Sequence, residues 1–184
     1  MKRSVSLTLL ILSGMLLLST SCCCGPRAPK RDFLTEVLLL DEAAFPAKTT
    51  AGPITSNPDR HGARESLGRS FYHPNGLAGH DIYRYTSVRG AAREFERQMD
   101  LSFRGGDWVV PAEITYQSPT ADQFYLACGT RGNIPMCRVI AQWEEYFVRL
   151  NVHMRPSFMT YADLESVLQA MDDRMAYYLI GGDQ

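Results

Sequence analysis

Apolar residues recur with a helical period from Val88 onward. Val88, Ala91, Ala92, Phe95 and Met99 fall on one side, and Arg89, Arg93, Glu96, Arg97 and Asp100 on the other. This spacing predicts an amphipathic helix that stops near Gly105 and Gly106. A second stripe, Leu164, Val167, Leu168, Met171, Met175, Tyr178 and Leu179, predicts a helix over residues 161–179. Thr160 and Asp163 approximate a capping box at its start, and Gly181 and Gly182 follow its end. Elsewhere the period is two. Residues 67–73 and 80–86 are rich in aromatics and separated by Pro74, Asn75, Gly76 and Gly79, the pattern of a hairpin. Residues 108–117, 123–128, 136–143 and 146–154 read as four further strands, joined by connections short enough to make neighbours antiparallel. In the last of these, Tyr146, Val148, Leu150 and Val152 alternate with Phe147, Arg149, Asn151 and His153, so one face is core and the other at least partly wet. Residues 33–45 combine a short helix with the apolar run from Val37 to Leu40, and Pro46 ends them. Residues 47–64 carry Gly52, Pro53, Asn57, Pro58 and Gly62 and predict a long irregular arm.

These elements predict an α+β fold: an antiparallel sheet of five or six strands with two amphipathic helices packed on one face. The order hairpin, helix, meander, helix over residues 67–180 resembles the PsbP/Mog1-like folds and the sensor-type domains of some bacterial envelope proteins. The resemblance is one of element order and carries no site residues.

The N-terminus has a different pattern. Lys2 and Arg3 precede an apolar run from Val5 to Leu18, broken only by Ser6, Thr8, Ser13 and Gly14. A positive start and a short apolar stretch predict an export signal. Fourteen or so helical residues span about 21 Å, short of the roughly 30 Å of a bilayer core, so a permanent transmembrane helix is the weaker reading. The run ends in Leu18, Ser19, Thr20, Ser21 and Cys22, which resembles the lipobox of bacterial lipoproteins. In that family a leucine usually stands three residues before the cysteine. Here Ser19 takes that place and Leu18 lies one further back. The resemblance implies cleavage by signal peptidase II before Cys22, whose thiol then carries diacylglycerol with palmitate-class chains, and two chains anchor stably where one does not. Cys23 is not the aspartate that the family associates with inner-membrane retention, which favours the outer membrane where there are two. The expected organisation is therefore a signal peptide over 1–21, an anchor and tether over 22–31, and one α+β domain over 32–184.

The charge balance narrows the partners. Loss of Lys2 and Arg3 with the signal moves the formal charge from -1 to -3. No basic cluster follows Arg31 along the sequence, so nucleic acid is not an expected partner and neither is a purely electrostatic hold on a bilayer. Past the anchor, Cys128 and Cys137 are the remaining cysteines, flanking a stretch with two glycines, Asn133 and Pro135. In an oxidising compartment they predict a disulfide across a hairpin rather than a redox pair, which would have C-x-x-C spacing.

Catalytic signatures are missing. The chain contains no G-x-S-x-G, no H-E-x-x-H, no P-loop and no G-x-G-x-x-G between strand and helix. An enzyme is not the expectation, and no cofactor or metal is assigned. A rival reading, an envelope metal-dependent hydrolase, would set His73 and His80 face to face across the hairpin with Asp81 or His61 as a third ligand. Glu144 and Glu145 read as a solvated turn. The aromatics carry more interest, because alternation prevents all of them entering one core. Tyr83, Tyr85, Tyr125 and Phe147 are the candidate ligand-facing residues, unless helices or the 47–64 arm cover them. The expected function is a non-enzymatic accessory module, held to a membrane through Cys22, that binds an envelope protein or a small ligand.

Overall fold

The computed structural model describes residues 27–57, 61–105 and 107–181. The signal peptide, the lipobox and the cysteines at 22–24 lie outside the described residues. The frame is an antiparallel sheet in the order β1-β3-β4-β7-β6-β5. Five long strands, β3 (Glu65–His73), β4 (Gly76–Arg84), β5 (Gln123–Arg131), β6 (Ile134–Trp143) and β7 (Tyr146–His153), carry it. Two short strands, β1 (Thr50–Ala51) and β2 (Thr55–Ser56), both pair with the outer edge of β3 and are contributed by the arm expected to be irregular. The β3–β4 hairpin is longer than the sequence suggests, with His73 opposite Gly76 across a two-residue turn. The turn at Glu144 and Glu145 is equally tight, and Glu144 adopts a left-handed φ of 47° to make it. β5, β6 and β7 form a meander, and the return of β7 beside β4 joins it to the β3–β4 hairpin.

Cys128 faces Cys137 in the β5–β6 register, and the two are joined by a disulfide, as the sequence predicts.

Two α-helices are present among the described residues, α1 (Val88–Ser102) and α2 (Tyr161–Leu179), besides short 3-10 turns at Thr35–Leu38 and Glu42–Ala44. The expectation that both pack on one face is corrected by the two cores. α2 buries Leu164, Val167, Leu168, Met171 and Met175 with Val139, Val148, Leu150 and Val152 of the sheet and Leu38, Leu39 and Leu40 of the N-terminal segment. α1 buries Ala91 and Phe95 with Tyr83, Ile140 and Phe147. Val139 and Ile140, or Phe147 and Val148, are adjacent in sequence and so point to opposite faces. The helices therefore lie on opposite sides of the sheet. The physical reason is that the second face is too apolar at Ile140 and Phe147 to stay wet, and α1 packs over it.

The segment at 108–117, expected as a strand, is mostly irregular. One bridge between Val109 and Cys128 fastens it to the β5 edge. Beyond Pro111 its backbone is satisfied by α2 instead of a ladder: Thr115 N–H and Tyr116 N–H donate to Glu165 Oε1 at 2.7 and 2.9 Å. Tyr116 and Thr120 hydroxyls donate to the buried Asp172, as does Ser118 Oγ at 2.5 Å. Pro111 denies the segment a ladder donor, and carboxylates on α2 supply acceptors instead.

Candidate anion-binding cleft

On the α1 face, alternation brings up a mixed set of residues: Tyr83 and Asp81 from β4, Phe147, Arg149 and Asn151 from β7, Ile140 and Arg138 from β6, and Tyr125 from β5. α1 meets this face with a half-polar side. Ala91 and Phe95 cover the rings, while Glu94, Gln98 and Ser102, one helical turn apart, are also buried. The three link along the helix. Gln98 Nε2 donates to Glu94 Oε1 at 2.8 Å, and Ser102 Oγ donates to Gln98 Oε1 at 2.6 Å. Arg97 donates to Glu94 from outside the stripe at 2.7 Å.

The four aromatic candidates all gather here. Tyr83, Tyr85 and Phe147 are 1%, 6% and 0% exposed beneath α1, and Tyr125 is half-buried at its edge against Phe103. They form the floor under the helix, the outcome in which a helix covers them, and their rings present no open groove. Burial raises the Tyr85 phenol further, with the nearby Glu94 carboxylate as a second cause.

Sequence reasoning missed the arginines. Beyond the C-terminal end of α1 a cleft of about 470 Å³ opens between the helix and the β5–β6 hairpin, and Arg104, Arg131, Arg138 and Arg149 line it. None of its lining residues is a carboxylate. Arg149 is paired: Nε and Nη2 reach Asp81 Oδ2 at 3.0 and 2.8 Å, and Nη2 also donates to the Tyr83 hydroxyl at 2.9 Å. Arg138 has only neutral partners among the described residues, donating from Nε to Asn151 Oδ1 at 2.7 Å and from Nη1 to the Ser102 carbonyl at 2.5 Å. Its guanidinium also lies 5.2 Å from the Trp108 ring centre. Burial, then the like charges of Arg149 and Arg131, hold Arg138 below the ordinary arginine range. An arginine in that position remains charged, so Arg138 brings to the cleft a positive charge that no carboxylate among the described residues pairs, beside the Arg149–Asp81 pair.

Trp108 is held by its neighbours. The Val109–Cys128 bridge, with bonds of 2.9 and 2.8 Å, sets it over Gly129, where a Cβ would come within 3.2 Å of the indole. Phe103 meets the same ring edge-on at 5.5 Å.

No protein-family model and no curated protein sequence matches the chain. Solved structures do match. The fold is similar to the extracellular domain of PknH from Mycobacterium tuberculosis, with a TM-score of 0.51 at 10% identity, over 76% of this chain and 93% of that one. At that identity the likeness concerns the fold and transfers no residue.

The histidines do not assemble a metal centre. His80 and His73 stand four residues apart along the β3–β4 ladder, about 13 Å at the rise of a strand. His80 is fully buried against the α2 core, where its Nδ1 accepts from Leu40 N–H at 3.2 Å. Asp81 points to the α1 face, and His73 stacks on Phe158 at 4.9 Å. No group of three or more metal-ligating side chains occurs among the described residues.

The Glu144 and Glu145 turn also departs from the sequence reading. Glu145 is 0% exposed, accepting from Arg31 Nη2 at 2.8 Å and Arg84 Nη2 at 3.3 Å. These bonds draw Arg31 onto the fold, with Ala28 N–H donating to the Thr86 carbonyl at 2.8 Å. Residues 28–31 of the expected tether are thus already docked.

Proposed function

We propose that the protein is a non-enzymatic, extracytoplasmic binding module, held to a membrane by lipid on Cys22, whose ligand is an anion seated in the arginine cleft. The single observation that carries the ligand assignment is the convergence of four guanidinium groups on one cleft, with Arg138 lacking any carboxylate partner among the described residues. Guanidinium groups take carboxylate and phosphate by paired, charge-assisted hydrogen bonds, and a cleft of this size accommodates a small molecule or an acidic side-chain cluster of a partner. The hairpin disulfide fits an oxidising compartment, and the extracellular placement of the PknH domain supports the same address. The apolar run ending at Cys22 supports export and acylation.

The test uses the full chain extracted in mild detergent. Titration with phosphate, citrate and a nucleoside diphosphate, followed by calorimetry and thermal melting, should give a saturable rise in Tm with at least one of them. Arg138→Met should weaken that binding by tenfold or more, on the order of the 1.5–3 kcal/mol carried by a hydrogen bond to a charged group, measured at a temperature where the melting curve shows the variant folded. Binding that survives Arg138→Met, or no anion response from the parent, would remove the assignment. Native mass spectrometry of the same extract reads the protein-partner version directly, as added mass lost in the variant.

A further inference from the structure

A second arginine cluster lies at the other end of α1. A cleft of about 710 Å³ is lined by Arg27, Arg64, Arg84 and Arg93, together with Ala28 and Pro29 from the point where the chain enters the fold. Arg84 shares the buried Glu145 with Arg31, while Arg27, Arg64 and Arg93 are exposed and have no carboxylate partner among the described residues. We infer that this face is a docking surface for anionic phospholipid headgroups, and that it sets the protein's orientation on the membrane. The inference rests on the Cys22 anchor proposed above.

The place of the cluster, more than its charge, identifies the partner. Ala28 is bonded to Thr86, Arg84 Nη2 donates to the Pro29 carbonyl at 3.1 Å, and Arg31 is clamped by Glu145. The chain therefore leaves the fold at one fixed point, inside the basic cleft. From Ala28 back to Cys22 is six residues, a reach of about 20 Å when fully extended. An anchored lipid at Cys22 consequently holds Arg27, Arg64, Arg84 and Arg93 within one short tether of the headgroups. Each arginine close to an anionic leaflet contributes roughly 1 kcal/mol of attraction, which decays over a Debye length of about 8–10 Å. Along the sequence these residues are interspersed with acids and give no basic run. The fold gathers them beside the tether and turns the acids elsewhere: Glu65 binds Thr35, and Glu94 binds Arg97 and Gln98. The two clefts are distinct along α1: Gly90 and Arg93 line the membrane-proximal one and Gln98, Leu101 and Ser102 the other, with Arg93 and Gln98 about 8 Å apart along the helix axis.

The experiment reconstitutes the full-length acylated protein into vesicles of phosphatidylcholine alone or with a third of phosphatidylglycerol and follows amide hydrogen exchange. The expected result is slower exchange at residues 62–65 and 86–92 in the anionic vesicles, by about threefold or more, reversed by 0.5 M salt as screening of exposed charge requires, with residues 129–133 unchanged. Arg64→Gln with Arg93→Gln should abolish the difference while leaving the melting point alone, since both side chains are exposed. Equal exchange in the two vesicle types overturns the inference. So does the same protection from soluble glycerophosphoglycerol or inorganic phosphate without vesicles, which would make the cleft a small-anion site. Flotation with neutral vesicles reads the anchor separately. A chain that fails to float there refutes lipidation of Cys22, and the exchange difference on anionic vesicles still decides the face.

Discussion

His80 is a buried neutral base. Burial, and then the charge of Arg174 on α2, push its pKa down to about 3 from an ordinary 6.5. The folded state resists the proton that the unfolded chain accepts, so this contribution to stability is complete above about pH 6.5 and is lost as the pH falls toward 3. At pH 5 the loss attributable to His80 is about 2 kcal/mol relative to pH 7, at 1.36 kcal/mol per unit. Urea unfolding of the parent and of His80→Gln at both pH values checks this. The parent should lose about 2 kcal/mol more than the variant on acidification, and equal losses would show that some other group carries the acid sensitivity. In the sequence the residue reads as a polar member of a hairpin or, in the rival reading, as a metal ligand facing His73. Its inward direction and its bond from Leu40 depend on the N-terminal segment folding back over β4, a contact across forty residues that no local pattern reveals. The same holds for Glu145, which a local reading places in water because it lies in a turn. Two arginines from distant parts of the chain make it a buried ion pair.

At the level of elements, both helices were legible because each repeats apolar residues at a helical period, and the caps agree: Ser87 accepts from Gly90 N–H, and Thr160 forms a full capping box with Asp163. The strands from β3 to β7 were legible by alternation, apart from their exact ends. The 108–117 segment was not, since its alternating side chains answer to the bridge at Val109 and to two α2 carboxylates instead of a partner strand. The β5–β6 hairpin offers a prediction at this scale. Its disulfide closes a separation of nine residues, so Cys128→Ser with Cys137→Ser should cost about 2–3 kcal/mol in the loop-entropy view. The same hairpin supports Arg131, Arg138 and, through Cys128, the Trp108 segment. Indole fluorescence should therefore shift in the variant, and anion affinity should fall along with stability. A variant with full stability and an unchanged tryptophan signal would show that the ladder alone sets the hairpin.

Across the whole molecule, Glu145 joins the entry of the chain to the sheet. Glu145→Gln would leave Arg84 without its charge partner and Arg31 with Glu144 alone, and losing one member of a buried pair costs on the order of 3–5 kcal/mol. The entry segment should loosen as well, so trypsin should cut after Lys30 or Arg31 faster than in the parent, and a variant with parental unfolding and proteolysis would refute the clamp. The sequence by itself determined the α+β class, the two helices, most strands and the disulfide, because these depend on local periodicity and on which residues can meet across a short turn. It also carries the export and anchoring expectation, which rests on residues outside the described fold. The tertiary structure alone decided that the helices take opposite faces, that the aromatics form a floor instead of a groove, and that arginines from Arg27 to Arg149 gather into two clefts at the ends of α1. The reason is physical: charges dispersed among acids along a chain have no net field, and only folding determines which acids are consumed in internal pairs and which cations are left facing the same space.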